Sequence, residues 1–377
     1  MSGLDSFAAK TDRMKTPDHN FGIYKGRTSS ISTICRSAIA LLFLFPAFIF
    51  SVACDDGAHD PHDRIPDMRE HTICLKTVPV MGQAGGTSGG TVDVFIYNDD
   101  ALKRLDAYQR LEIGKDHTVD AASGKGRKIV VAILNPQMRD YEWNGISSLE
   151  SISGMYADLC MESPETPVMS GTAFLDAETD SSCEMMLAPL VSVIDIRSIR
   201  CDFSGKLYDG EKLENAYAYL TNVNSLALLM KDKGFMPAAP LNSDGYHYES
   251  SRRMMHPEMV YADFPANIGA EKIQPEIRLY CYPNSSTEDT AGTPFTRLVI
   301  AGDISGTRYY YPININGMGT GSDGKPSGID RNCRYVLDLT ITQTGVTDPS
   351  VPVSPEAVMT DWTVMEWNSL PETEIEF

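Results

Sequence analysis

The sequence predicts an all-β protein of the sandwich class with a few short helices. Three observations carry this expectation. Short runs alternate at period two, as in Tyr335, Leu337, Leu339 and Ile341 against Asp338, Thr340 and Thr342. Stretches rich in Gly, Pro and Ser separate such runs, and segments with helical spacing are few and short. Strands punctuated by turn signals, with little helix between them, bury their apolar faces by packing sheet on sheet.

The elements follow in chain order. His71 to Val80 reads as a first strand, with Ile73, Leu75 and Thr77 on one face and Cys74, Lys76 and Val78 on the other. Gly82 to Gly90, GQAGGTSGG, is a flexible loop. Thr91 to Tyr97 is the next strand, with Val92, Val94 and Ile96 opposite Phe95 and Tyr97. Asp99 to Leu111 carries Leu102, Leu105 and Tyr108 at helical spacing and fits either a short helix or a hairpin. Arg127 to Leu134, RKIVVAIL, is a fully buried strand. Ile146, Leu149, Ile152 and Met155 recur every third residue and predict a short covering helix, and Pro164 to Ser170 is extended, its prolines limiting pairing. Leu187 to Phe203 opens a second run of strands, which places a domain boundary near residue 186. Ala216 to Leu220 follows, then a loop-rich stretch to about Pro275. Ile277 to Tyr282, Leu298 to Ala301, Arg308 to Asn314 and Tyr335 to Thr342 complete the strands.

The N-terminal region carries an address. Ala38 to Phe50 is 13 residues without a charge, too short for a membrane span of ~20 residues but suited to the apolar region of a secretory signal. Arg27 and Arg36 supply its positive flank. Ser51-Val52-Ala53-Cys54 then resembles a bacterial lipobox, in which small residues precede a cysteine that takes a diacylglyceryl thioether. The competing reading is an ordinary signal peptide with a chance cysteine. Residues 1–53 are expected to be removed, with Met14 an alternative start. Asp55, Asp56, Asp60 and Asp63 resemble the acidic tag of surface-exported lipoproteins.

Charge and motifs exclude several functions. Without residues 1–53, which hold six Lys/Arg and three Asp/Glu, 26 basic residues face 48 acidic ones, a formal charge of −22. Such a balance favours solubility and opposes nucleic acid, whose phosphates need Lys or Arg. His59 and His62 beside Asp60 and Asp63 offer metal donors, but a flexible tether cannot preorganise them. Cys74, Cys160, Cys183, Cys201, Cys281 and Cys333 allow 15 pairings and show no CxxC spacing; buried free thiols are the simplest reading. HExxH and P-loop patterns are absent, and Gly319 to Gly328 lacks P-loop order. No catalytic residue, cofactor or metal is expected. Tyr246, Tyr248, Tyr309, Tyr310 and Tyr311 fit either an aromatic glycan platform or half-buried strand positions.

Several segments in order resemble one family, the type V fimbrillins, pilus subunits of Bacteroidales-type bacteria. They are HTICLKTV with TVDVFIYND, GRKIVVAILNP, LVSVIDIRSI with YAYLTNVN, and Ile329-Asp330-Arg331-Asn332-Cys333-Arg334-Tyr335 before VLDLTIT and Thr363-Val364-Met365-Glu366-Trp367. The resemblance covers nearly all of 54–377. It implies two β-sandwich domains of transthyretin-like or Greek-key type, 71–185 and 186–377, behind an acidic tether at 54–70. It also implies lipidation at Cys54, display on the outer membrane or in a fimbrium, and other fimbrial subunits as partners in a homo- or hetero-polymer. In that scheme a protease removes the first strand, here the one carrying Ile73 and Leu75, and another subunit's C-terminal strand replaces it. Arg331 and Asn332 are expected to form a charged turn that sets the last strand's register. One departure is that Met81 to Gly90 contains no Arg or Lys for the protease, which would suit a membrane-anchoring subunit that keeps its first strand and lipid. A glycan- or protein-binding surface lipoprotein is the other alternative.

The chain closes with ETEIEF. Thr373, Ile375 and Phe377 alternate with Glu372, Glu374 and Glu376, the pattern of a strand with one apolar face, and mark it as the candidate donor strand.

Overall fold

A computed structural model describes residues 68–77, 90–114, 116–137, 143, 145–230, 240–243, 257–286, 294–315 and 328–366. The chain separates into two compact units, Met1–Asp60 and Pro61–Phe377, and every described residue lies in the second. Residues 54–67 of the tether with Cys54, residues 78–89, Tyr246, Tyr248 and the candidate donor residues Thr373, Ile375 and Phe377 fall outside the described residues.

The first half builds one sheet. Its strands are β1 (Arg69–Thr77), β2 (Thr91–Asn98), β3 (Leu105–Glu112), β4 (Thr118–Ser123) and β5 (Arg127–Leu134), then, after helix α1 (Leu149–Ser153) and the short β6 (Tyr156–Asp158), β7 (Met169–Asp176) and β8 (Ser182–Pro189). Their order across the sheet is β3-β2-β5-β7-β8-β1-β4. The sheet curls until its end strands meet. The Gln109 side-chain amide on β3 donates to Ala122 O on β4 at 2.9 Å and accepts from Ala122 N at 3.0 Å, standing in for a peptide group. The enclosed face holds Ile73, Val92, Val94, Ile96, Val119, Ala121, Val130, Ala132, Met185 and Leu187 in one apolar cluster. The opposite faces of β2 and β5, with Phe95, Tyr97, Ile129, Val131 and Ile133, join a second cluster that runs into the rest of the molecule. Burial on both faces explains why RKIVVAIL reads as a continuous apolar run.

Within β2 one polar residue interrupts the apolar pattern. Asp93 is fully buried and faces Arg110 across the β2–β3 pair. Arg110 donates to both carboxylate oxygens at 2.7 Å, Tyr108 Oη donates at 3.0 Å, and Trp143 Nε1 donates at 2.8 Å. A buried charge so saturated with donors holds β2, β3 and the Trp143 segment in one arrangement.

The second half builds a sandwich of two four-stranded sheets. Its strands are β9 (Ser192–Cys201), β10 (Glu214–Thr221), β11 (Leu226–Leu228), β12 (Tyr261–Asp263) behind the short helix α2 (Pro257–Val260), β13 (Ile277–Cys281), β14 (Arg297–Ile304), β15 (Thr307–Asn314), β16 (Cys333–Ile341) and β17 (Val358–Glu366). The sheets are β12-β10-β14-β15 and β13-β9-β16-β17. Ile304 pairs with Thr307, leaving Ser305 (φ 49) and Gly306 (φ 77) as a two-residue turn with both φ positive, which matches the twist of the hairpin. β11 pairs with β6, so a small ribbon joins the halves.

Several expectations are corrected or resolved. Asp99 to Leu111 is a hairpin arm, not a helix: Asp100 accepts from Leu102 N and Lys103 N, closing a turn that leads into β3. Leu187 does not open the second run of strands. It lies within β8, and the change of sheet falls after Pro189. The first strand starts two residues earlier than expected, at Arg69. Tyr310 and Tyr311 are buried and Tyr309 half-buried, so these three form no exposed platform. The six described cysteines are free; Cys201 and Cys281 are buried, whereas Cys160 is exposed. The helix expected from Ile146, Leu149, Ile152 and Met155 is α1, capped by Ser148 Oγ accepting from Ser151 N, with Ile152 fully buried.

The halves share polar contacts beside the ribbon. Glu162 is buried there, accepting from Tyr282 Oη, from Val168 N at 2.6 Å and from Gln137 Nε2 at 3.4 Å. Burial pushes its carboxyl up from 4.5 to about 7, against the hydrogen bonds from Tyr282 and Val168 that favour the anion. Between pH 4.5 and about 7 the unfolded chain ionises this group while the folded chain resists. Its contribution to stability is therefore complete below that window and lost as pH rises through it, by up to about 3 kcal/mol. Urea midpoints measured across that range should fall for the native protein, and Glu162→Gln should remove much of the decline.

Candidate assembly site

β1 sits inside a wall of the first sheet, not at its edge. It runs antiparallel to β4 over six pairs, from Arg69↔Ser123 to Cys74↔Thr118, and parallel to β8 over six more, from Thr72↔Ser182 to Thr77↔Leu187. Ile73 is fully buried in the enclosed cluster. Leu75 is in register with Met185, and its side chain falls outside the described residues. Thr72 N donates to Ser181 O at 3.0 Å, and Thr72 Oγ1 donates to Asp120 at 2.7 Å. The buried His71 ring places Nδ1 3.0 Å from Asp180 O, so that nitrogen carries the proton and donates.

A strand so placed separates two walls. On one side β4 is tied back to β3 by the Gln109 amide and by Gly124 N donating to Asp106 at 2.7 Å. On the other, β8 has two pairs with β7, Met169↔Pro189 and Ser170↔Ala188. β7 and β8 cross closely there: a Cβ added to Gly171 would stand 2.2 Å from Met186 O, so only glycine fits. Taking β1 out would leave a groove with an apolar floor and a row of unpaired backbone groups on each wall, the chemistry that accepts an added strand.

Arg331 closes the far end of β8. Arg331 and Asn332 form the expected turn ahead of β16, but Arg331 is only 8% exposed and its guanidinium reaches across to the first sheet. Nη2 donates to Ala188 O at 2.6 Å, to Ser170 Oγ at 3.2 Å and to Ser170 O at 3.5 Å, and Nε donates to Pro189 O at 3.3 Å. Asn332 takes a left-handed φ of 58 and its N–H donates to Val191 O at 3.3 Å. The sequence reading missed Ser170 and Ala188 because they act through backbone and a hydroxyl, although the alternation of Cys183, Met185 and Leu187 with Glu184 and Met186 marks the strand of Ala188.

Three of the described thiols, Cys183 on β8 and Cys201 and Cys281 in the second half, are not poised for chemistry. Burial, with smaller contributions from Cys74 and Asp180, pushes the Cys183 thiol up to about 11. Burial pushes Cys201 and Cys281 up to about 12. All three stay protonated at neutral pH, and the thiolate is the nucleophilic and metal-binding form.

This architecture recurs among solved structures. A fimbrilin from Porphyromonas gingivalis superposes with a TM-score of 0.56 at 12% identity, covering 79% of this chain and 97% of its own. The fold is shared with a fimbrilin. Candidate cell adhesion proteins from Parabacteroides distasonis and Bacteroides eggerthii share it too, with TM-scores of 0.57 and 0.58 at 15% and 12% identity. Each match covers 80% of this chain, and 98% and 97% of theirs. No family profile matches the sequence, and no curated protein does. The likeness to the fimbrilin therefore lies in strand order and packing, with residue identity largely exchanged.

The floor of the groove can be probed at one position. Ile73→Ala removes buried methyl and methylene groups that the rigid sheet cannot refill, and should cost about 2–5 kcal/mol, whereas Ile73→Val should cost about 0.5–1.5 kcal/mol. Chemical unfolding of the two variants beside the native chain checks the ratio.

Proposed function

We propose that this protein is a structural subunit of a cell-surface fimbria of the type V kind, exported as a lipoprotein through Cys54 and joined to neighbouring subunits by strand exchange. The observation that carries the reading is β1, a first strand enclosed between β4 and β8 in a fold shared with a fimbrilin. The sequence adds the glycine-rich segment Gly82 to Gly90, where a chain can be nicked, and the lipobox.

The donor is the C-terminal segment. β17 ends at Glu366, and eleven residues follow it. A donor running in the direction of β1 would set Ile375 and Phe377, two residues apart, into the sites of Ile73 and Leu75. Glu372, Glu374 and Glu376 would stay on the outer face. The two sandwich domains, the outer-membrane location and the subunit partners belong to this same reading. A second reading, a membrane-anchoring subunit that retains β1 and its lipid, is favoured by the lack of Arg and Lys from Met81 to Gly90. The N-terminus of surface-released protein separates the two: loss of β1 marks an exchanged subunit, and a lipidated Cys54 marks the anchor.

Two experiments test the proposal. Deleting Ser369 to Phe377 should leave a folded, lipidated monomer that no longer ladders on a gel; normal polymers from the truncated chain would remove the donor assignment. Cys54→Ala should abolish lipid labelling and surface delivery, and unchanged labelling would show that Cys54 is not the acceptor.

A further inference from the structure

Strand exchange, if it operates, poses a mechanical problem at β8. With β1 in place, β8 has six backbone pairs to β1 and two to β7. When β1 leaves, the pairs Met169↔Pro189 and Ser170↔Ala188 are the backbone pairing β8 keeps among the described residues. A strand held at one end by two pairs frays, and a frayed wall cannot template an incoming strand.

The Arg331 guanidinium lies on this corner. It bonds Ser170 on β7 and Ala188 on β8, the two members of one of those pairs, and also Pro189 O from the other. Its own mounting takes no part in the exchange. Arg331 precedes β16, which is paired to β9 on one side and β17 on the other. Asp330 N donates to Tyr335 Oη at 2.9 Å, Ser192 Oγ donates to Asp330 O, and Asn332 N donates to Val191 O. Ser170 Oγ in turn donates to Leu229 O, a second tie from the same pair to the second half of the chain. A charged donor bonded to buried carbonyls makes a stronger contact than a neutral one, and its geometry is fixed by the planar fork of the guanidinium.

We infer that Arg331 is a positioning residue of the acceptor groove: it holds the β7–β8 corner in register while the β1 slot is empty, so that the groove is preformed when a donor strand arrives. The inference rests on the strand-exchange reading.

The test uses the full chain, folded first and then cut at a protease site introduced between Gly82 and Gly90, with a labelled peptide of Ser369 to Phe377 as probe. Hydrogen exchange on the cut chain, once β1 is released and before peptide is added, reports the clamp independently of any donor. Arg331→Met should lower protection of the Met185 to Ala188 amides about tenfold or more, leave β16 protected, and slow peptide capture by the cut chain by a similar factor. Arg331→Lys, which keeps the charge but not the fork, should fall between and serves if the Met variant does not fold. Unchanged β8 protection and unchanged capture in both variants would overturn the inference alone. Failure of the native cut chain to capture the peptide would overturn the strand-exchange reading and the inference with it, even where β8 protection falls.

Discussion

The position of β1 constrains everything around it. A strand at a sheet edge can leave and cost one row of hydrogen bonds. A strand inside a sheet leaves two rows of unpaired donors and acceptors, and with Ile73 it also opens the apolar interior. Such a cavity is unfavourable enough that something of the same shape must fill it. The curl of the first sheet, the apolar cluster inside it and the glycine crossing at Gly171 are all arranged around that slot.

The second half serves the first at a few shared contacts. The β6–β11 ribbon, the buried Glu162 against Tyr282, and Arg331 on the β7–β8 corner are polar contacts across which little can slide. Apolar packing around them supplies area without direction, whereas a carboxyl in a fixed set of donors or a guanidinium on two carbonyls specifies one docking. The two halves are consequently held in register by residues that are chemically unlike their surroundings.

How much of this could be read from the chain depends on which atoms make each contact. RKIVVAIL was legible as a buried strand because both of its faces are covered, and α1 was legible from four apolar positions three apart. Leu102, Leu105 and Tyr108 left helix and hairpin both open because helical spacing also arises by chance across a turn; Leu102 lies exposed at the bend. The end of β8 was hidden because Pro189-Leu190-Val191 carries no glycine or polar turn residue before β9 begins. Arg331 was legible as a conspicuous charge but not in its role, since its acceptors are backbone oxygens and a hydroxyl, one of them 143 positions earlier in the chain. Backbone carbonyls leave no trace in a sequence, so a partner of that kind emerges only with the fold.

The Gln109 amide has a meaning for the company this protein keeps. By mimicking a peptide unit between β3 and β4, it silences the two strand edges at which the first sheet would otherwise continue sideways. An open strand edge offers any neighbouring chain a row of unpaired donors and acceptors to pair with. With that seam stitched by a side chain, the first sheet closes on itself and offers a neighbouring chain little to extend at β3 and β4.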